Sequence, residues 1–248
     1  MNFQITFVFL LLIPFCKAFS QEFTYFHKIE NITANAKLAS VLYKKLDSVK
    51  QTRRPNDSRI NILFDRDVDF GYKHKRINIV FNSIYYVVNL LVKNDSIYLS
   101  SVSFDREFYD KAYGNLNKFR IDTSTCLYYL KLRNGFYKST KTIIDLKDDL
   151  NLNEEYAYRC GDAMQKTDEW IHLEKLAKKK DIGKLTNMLQ SICCEEQAYG
   201  TAGFNELNKN SIKIPKNIQK IIKHIKDRKS TLVVCNGYFT QVSPPLNQ

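Results

Sequence analysis

Two hydrophobic rhythms alternate along the chain. Ile32, Ala39, Leu42, Leu46 and Val49 recur at helical spacing, while Lys37, Lys44, Lys45 and Asp47 fall elsewhere on the wheel. That spacing predicts one helix from Asn31, ending before the polar, Pro-containing stretch 51–58. The period then drops to two. Ile60, Ile62 and Phe64 alternate with their neighbours, as do Ile77, Ile79 and Phe81; Tyr85 to Val92 is β-branched and aromatic. Lys93-Asn94-Asp95 carries turn chemistry before Ile97, Leu99 and Val102 resume an extended pattern. The expectation is a short antiparallel meander with a hairpin at Asn94-Asp95.

Helical spacing returns after about Asp105. Asp122-Thr123 is a cap for a helix holding Leu127, Tyr129 and Leu130, with Asn134-Gly135 as its stop. Residues 142–150 and 154–160 read as two further short helices. Thr167-Asp168 caps a helix carrying Trp170, Leu173, Leu176 and Ala177. Asp181 caps the next, with Ile182, Leu185, Met188, Leu189 and Ile192 on one face. In the helix over 193–208, Ala198, Gly200, Ala202 and Gly203 keep one side slim, so that a neighbour approaches closely. Pro215 opens a last helix with Ile218, Ile221, Ile222 and Ile225 as its stripe. Thr231 to Cys235 is a short extended run.

The fold class expected is therefore α+β: an N-terminal helix plus a small antiparallel sheet, followed by an all-α C-terminal region of antiparallel helices. The divisions follow the pattern: 1–20 a leader, 21–160 the α+β unit, 161–240 the helical unit, 241–248 a loose tail. Asp181-Ile182-Gly183-Lys184-Leu185 through Met188-Leu189-Gln190-Ser191, then Gln197-Ala198-Tyr199-Gly200 and Gly203-Phe204-Asn205-Glu206-Leu207, resembles one HEAT-type αα-hairpin. The layout of leader, mixed unit and helical hairpin resembles exported bacterial proteins with no known activity. HEAT-type pairs usually build binding or scaffolding surfaces, while one hairpin is as often a helical cap on a core. No second copy follows at a 40-residue period, which a true solenoid requires.

Ile5 to Phe15 is an uncharged apolar block of signal-peptide length, and Ala18 and Ser20 place cleavage between Ser20 and Gln21. An uncleaved anchor or a buried N-terminal helix competes with that reading, because the first residues lack Lys and Arg. Cleavage removes Lys17 and leaves a net charge of +11 from the +12 of the whole chain. The expected location is the periplasm or the extracellular space. There, five cysteines (Cys126, Cys160, Cys193, Cys194, Cys235) permit one or two disulfides. The sharp candidate joins Cys160, or one of Cys193 and Cys194, to Cys235; the plain one leaves all five as small buried hydrophobes. No metal site is expected: there is no C-x-x-C, and His27, His74, His172 and His224 stand singly.

Charge and motifs narrow the function little. The 38 Lys and Arg are spread along the chain rather than concentrated, which argues against nucleic acid; the default reading is a solvated basic surface, and the alternative is attraction to an anionic envelope component or an acidic protein. Asp65, Asp67 and Asp69 resemble the start of a calcium loop. The sixth position is Phe70 and the twelfth Arg76, however, so the expectation is a solvated turn between strands. His172 and Glu174 face different ways on one helix; Ser124 and Ser191 lack a nucleophile elbow. No cofactor motif is present, and catalytic residues stay unassigned. Of the doublets Tyr85-Tyr86 and Tyr128-Tyr129, one ring each belongs inside. The reading is a non-catalytic binding or interaction module of the cell envelope. The alternative is a hydrolase whose groups converge from distant residues at the junction of the two units.

Overall fold

A computed structural model describes residues 24–49, 58–81, 84–105, 118–161, 164–237 and 239–243. The leader at 1–20 and residues 244–248 of the expected tail lie outside the described residues. The protein is α+β with antiparallel sheets. Its elements run α1 (24–35), α2 (Ala39–Asp47), β1 (Ser58–Asp67), β2 (Lys73–Phe81), β3 (Ile84–Lys93), β4 (Ser96–Asp105) and β5 (Lys118–Ile121). There follow α3 (Thr123–Tyr137), α4 (Ile143–Asn151), β6 (Arg159–Cys160), β7 (Gln165–Lys166), α5 (Asp168–Lys178) and α6 (Ile182–Gln190). The chain continues through α7 (Cys194–Lys209), α8 (Lys216–Arg228), β8 (Leu232–Asn236) and β9 (Phe239–Ser243). β1 to β5 form one meander in sequence order; β6–β7 and β8–β9 are separate hairpins.

The region expected to be all-α, 161–240, also carries β7, β8 and the start of β9, and 241–243 of the tail expected to be loose complete β9. Three further expectations are corrected. The N-terminal helix is two, broken at 36–38. There the backbone is drawn into the sheet: Ile97 N–H donates to the Lys37 carbonyl and Ala39 N–H to that of Asp95. Asp95 then caps α2 from outside, its carboxylate accepting from the Ser40 N–H (3.0 Å) and hydroxyl (2.5 Å), so the hairpin turn at Asn94-Asp95 also starts a helix. The second correction is α3, which runs through Gly135 and ends where Lys138 turns left-handed (φ 55°). Asn134 is not a stop; its side chain accepts from Lys141 N–H and the Ser139 hydroxyl beyond the helix. The third is 154–160, which is extended. Its backbone bonds go sideways, Tyr156 N–H to the Val233 carbonyl and Gly161 N–H to that of Gly237, beside β8 rather than within a helical turn.

Both faces of the main sheet are covered. On one face Ile77, Ile79, Phe81, Tyr86, Val88, Leu90 and Val92 meet Phe26, Ile29, Leu42 and Leu46 of α1 and α2. The register pairs Ile77 with Val88 and Ile79 with Tyr86, so period-two alternation lines up an apolar row across strands. On the other face Val68, Tyr72, Leu91 and Leu99 meet Cys126, Tyr129 and Leu130 of α3, Leu146 and Leu150 of α4, and Ile192, Cys194, Ala198 and Leu232. That cluster draws on both sides of residue 160. A third holds α5 to α8 together through Leu176, Leu185, Leu189, Phe204, Leu207, Ile218 and Ile221. The slim side of α7 is used as its sequence suggests: a Cβ on Gly200 would lie 3.0 Å from the Leu189 backbone nitrogen, and one on Gly203 would overlap Leu185.

The second sheet face also buries a polar layer. His74, Arg76, Asn89 and Ser101 share it. Asn89 Oδ1 accepts from Arg76 Nε (2.8 Å) and His74 Nε2 (3.1 Å), and its amide donates to Asn151 (3.0 Å), which also accepts from the Ser101 hydroxyl (2.6 Å). Arg76 goes on to the Leu152 carbonyl (2.6 Å) and Asn153 (3.0 Å). A strand guanidinium thus covers the carbonyl end of α4, where backbone acceptors lack helical partners and positive charge is favourable.

Candidate functional site

Among the described residues, four places that collect chemistry-bearing side chains stand out. The first is the β1–β2 turn. Asp69 and Phe70 hold positive φ (94° and 55°) ahead of Gly71 (76°). The turn is tied by Asp69 N–H donating to Asp67 Oδ1 (2.8 Å) and Val68 N–H to the Tyr72 carbonyl (2.9 Å). This geometry aims the Asp69 carboxylate inward. Oδ1 accepts from Arg228 (2.7 Å) and His224 Nε2 (2.9 Å), Oδ2 from Arg133 and the Tyr137 hydroxyl (3.0 Å). Burial pushes this carboxyl up, but the charges of Arg228 and Arg133 and the bonds from His224 and Arg228 outweigh it and hold it well below the usual range.

The expectation of a solvated turn fails at Asp69, which is 1% exposed. Asp65 is exposed, but it stands within β1 rather than in the turn, paired with Lys75 across the sheet (2.6 Å). The three aspartates face different partners and do not converge on an ion. A carboxylate has about four lone-pair positions, and Asp69 fills them with donors from α3 and α8. It works as a clasp fastening the sheet to helices on either side of residue 160.

Beside it, Arg66 and Glu195 pair at 2.5 and 2.9 Å, both side chains 2% exposed. Glu195 also accepts from Val233 N–H (2.7 Å) and the Cys193 thiol (3.2 Å). Burial raises its carboxyl, and Arg66 more than reverses that. Arg228 reaches Gln197 (2.6 Å), and Arg133 the Ser191 carbonyl (2.8 Å). Cys126, Cys193 and Cys194 are free and buried; for Cys193, burial pushes the thiol far up, away from reactivity.

The third place is an open groove of about 530 Å³ where α5 and α7 meet the 154–158 segment. Tyr156 and Trp170 supply its aromatic floor, and Asn205, Glu206, Asn208 and Lys209 its polar side. The rings belong to a larger cluster. Trp170 lies edge-on to Tyr158 (centroids 5.0 Å), and Tyr156 packs on Tyr199 (4.9 Å). Trp170 Nε1 donates to Glu174 (3.1 Å), itself paired with Lys166 (2.7 Å), which fixes the indole in place.

The fourth is a cavity of about 290 Å³ whose walls include Glu154, Glu155, Glu169, Cys160 and Cys235. Cys160 and Cys235 are bonded across 75 residues, with Cα atoms 5.7 Å apart. The Tyr199 hydroxyl fixes this wall by donating to the Glu155 carbonyl (2.8 Å) and accepting from Ala157 N–H (3.0 Å). Burial, then the nearby charges of Glu169, Glu196 and Glu195, raise the Glu154 carboxyl.

The remaining sequence candidates separate. His172 is exposed, while Glu174 serves Trp170 and Lys166. The Ser124 hydroxyl donates to Asp122, and that of Ser191 accepts from Cys193 N–H. Tyr86 and Tyr129 are inside, Tyr85 and Tyr128 outside. The Asp69 clasp and the Trp170 groove were not found from the sequence. Each is built from residues far apart in the chain, and the one local signal was the poor match of 65–76 to a calcium loop. No helix among the described residues is long and apolar enough to cross a membrane. Compared with known protein families, curated proteins and solved structures, the chain matches none.

Proposed function

We propose that the protein is an exported, non-catalytic binding module of the cell envelope, with a HEAT-like pair, α6 and α7, at the heart of its helical part. The groove floored by Tyr156 and Trp170 carries the reading. Rigid rings beside amide, carboxylate and ammonium groups suit a hydroxylated ring such as an envelope saccharide, whose C–H face stacks while its hydroxyls take up the polar wall. Exposed lysines along α8 (Lys216, Lys220 and Lys223) add long-range attraction to an anionic envelope surface.

Trp170 is the single tryptophan, so its emission reports on the groove directly. Titration with soluble peptidoglycan fragments is expected to give a saturable change in that emission. Asn205→Ala should weaken the binding, and Trp170→Ala should abolish binding measured by calorimetry. Intact mass of the secreted protein is expected to begin at Gln21. Flat titrations, or a mass that retains 1–20, would count against the reading.

A second reading, a hydrolase at the junction, is favoured by one observation: Asp69 and His224 approach from distant parts of the chain as an imidazole and its orienting carboxylate. Asp69 is shared with two arginines and a tyrosine, which fits a clasp better. Hydrolysis of ester or peptide substrates that disappears in His224→Asn would reverse that preference.

A further inference from the structure

We propose that reducing the Cys160–Cys235 disulfide creates a metal site, in which the two sulfurs and Glu155 bind a thiophilic divalent cation such as Zn²⁺. One ligand atom from each of Glu155, Cys160 and Cys235 lies within 4.8 Å of the others, and all three residues are half-buried. That is close enough for a single ion at ordinary Zn–S and Zn–O bond lengths, and a thiolate pair with one carboxylate is a donor set that Zn²⁺ accepts.

Two further features are those of a built site. Glu155 is oriented from outside: its Oε1 accepts from the Thr240 hydroxyl at 2.6 Å, and its backbone carbonyl from the Tyr199 hydroxyl at 2.8 Å. Such second contacts fix a ligating carboxylate. The three ligands also border the cavity of about 290 Å³, leaving a fourth position for water or an incoming ligand, as in zinc sites that are not closed. Glu154 and Glu169 line the same cavity, a local concentration of negative charge in a chain whose net charge is +12.

The chemistry balances in two steps. A dithiol or phosphine reductant gives two electrons to the S–S bond, which breaks as two protons are taken up to form two thiols. The cation then replaces those protons, forming two metal–sulfur bonds and releasing two H⁺ per ion. The disulfide and the metal are therefore alternatives, and the redox state decides which one clamps 155–160 to β8. The other three cysteines among the described residues are buried free thiols, so the Cys160–Cys235 bond is the one among them that a reductant breaks.

The test uses the mature protein, reduced with a phosphine under anaerobic conditions and titrated with Co²⁺, then Zn²⁺. One Co²⁺ per chain is expected, with thiolate-to-cobalt charge-transfer bands that Zn²⁺ abolishes and with two protons released per ion. The oxidised protein should show none of this. Glu155→Gln, which keeps both sulfurs, should weaken affinity by about tenfold or more, in the range that perturbed ligand shells show. Equal affinity in Glu155→Gln, bands in the oxidised protein, or loss of the Trp170 near-ultraviolet signal on reduction would each overturn the proposal.

Discussion

The two faces of the main sheet are buried by different means. Under α1 and α2 the contact is a row of side chains such as Ile77, Ile79, Tyr86 and Val88 against Phe26, Ile29 and Leu42. Its strength is the sum of many apolar contacts, each side chain replaceable at modest loss by another apolar one of similar volume. On the opposite face His74, Arg76, Asn89 and Ser101 form a hydrogen-bonded layer that reaches α4 through Asn151, while Arg66 at the end of β1 and Asp69 in the turn beyond it are ion-paired to α7, α3 and α8. A buried polar contact is conditional: it holds while every member is present, and its loss leaves a charge or a donor stranded. One face therefore tolerates change gradually, and the other fails by single residues.

The largest effect expected is on the conditional face. Glu195→Ala strands Arg66 and the Val233 N–H, and Asp69→Ala strands Arg133 and Arg228. Each should cost about 3–5 kcal/mol in urea denaturation. Replacing both partners, Arg66→Met with Glu195→Leu, should recover most of the loss, less about 1–3 kcal/mol for the orphaned Val233 N–H. On the apolar face, Leu42→Ala is expected to cost about 2–5 kcal/mol for the cavity left. A second apolar substitution there should add to that loss rather than cancel it. If Glu195→Ala shifts stability by less than about 1 kcal/mol, the pair behaves as an exposed one and the contrast between the faces collapses.

The sequence made the first face readable and hid the second, for a physical reason. Period-two apolar alternation at Ile77, Ile79 and Phe81 means one thing wherever it occurs, and the meander and its Asn94-Asp95 hairpin followed from it. Caps were equally local: Asp122, Thr167 and Asp181 each accept from a backbone N–H three residues on, at the start of a helix. A polar residue in a strand has no such unique meaning. Arg66, Asp69 and Asn89 read as solvent-facing until their partners are known. Those partners stand 129, 159 and 62 residues away, at Glu195, Arg228 and Asn151. The groove was hidden in the same way, because Tyr156 and Trp170 of its floor and Asn205 of its wall meet only once 154–160 is known to be extended rather than helical.

A smaller effect tests whether the conditional face depends on where the helices sit. Gly200 lets α7 approach α6, with the Leu189 backbone 3.0 Å from where a Cβ would stand. Gly200→Val should push the pair apart and cost about 1–3 kcal/mol through overpacking. The same displacement moves Glu195 and Gln197, which stand on α7. Gly200→Val combined with Glu195→Ala should therefore cost less than the sum of the two, while Gly200→Val with Leu42→Ala should be additive within about 0.5 kcal/mol. Additivity in both pairs would mean that the ion pairs do not depend on the close helix approach.

The smallest effect appears as a pH dependence that the apolar face cannot imitate. Burial, and then the charges of Arg66 and Arg76, hold the His74 imidazole far below its ordinary value, and its Nδ1 is buried without a partner. The folded protein thus keeps His74 neutral where the unfolded chain, with a histidine pKa of about 6.5, takes up a proton. A depressed folded pKa gives stability that is present above about 6.5 and is lost as pH falls below it. The carboxylates Asp69 and Glu195 are depressed as well, so their contribution is present above about 4 and is lost at still lower pH. The stability of the native protein should therefore decline in two stages. His74→Gln is expected to remove the first stage and leave the second, seen as urea midpoints at pH 8, 5.5 and 3.5 that separate only below the first break. Leu42→Ala, lowering all three midpoints alike, is the control that assigns the effect to the polar face; a first stage that survives His74→Gln would place its proton elsewhere.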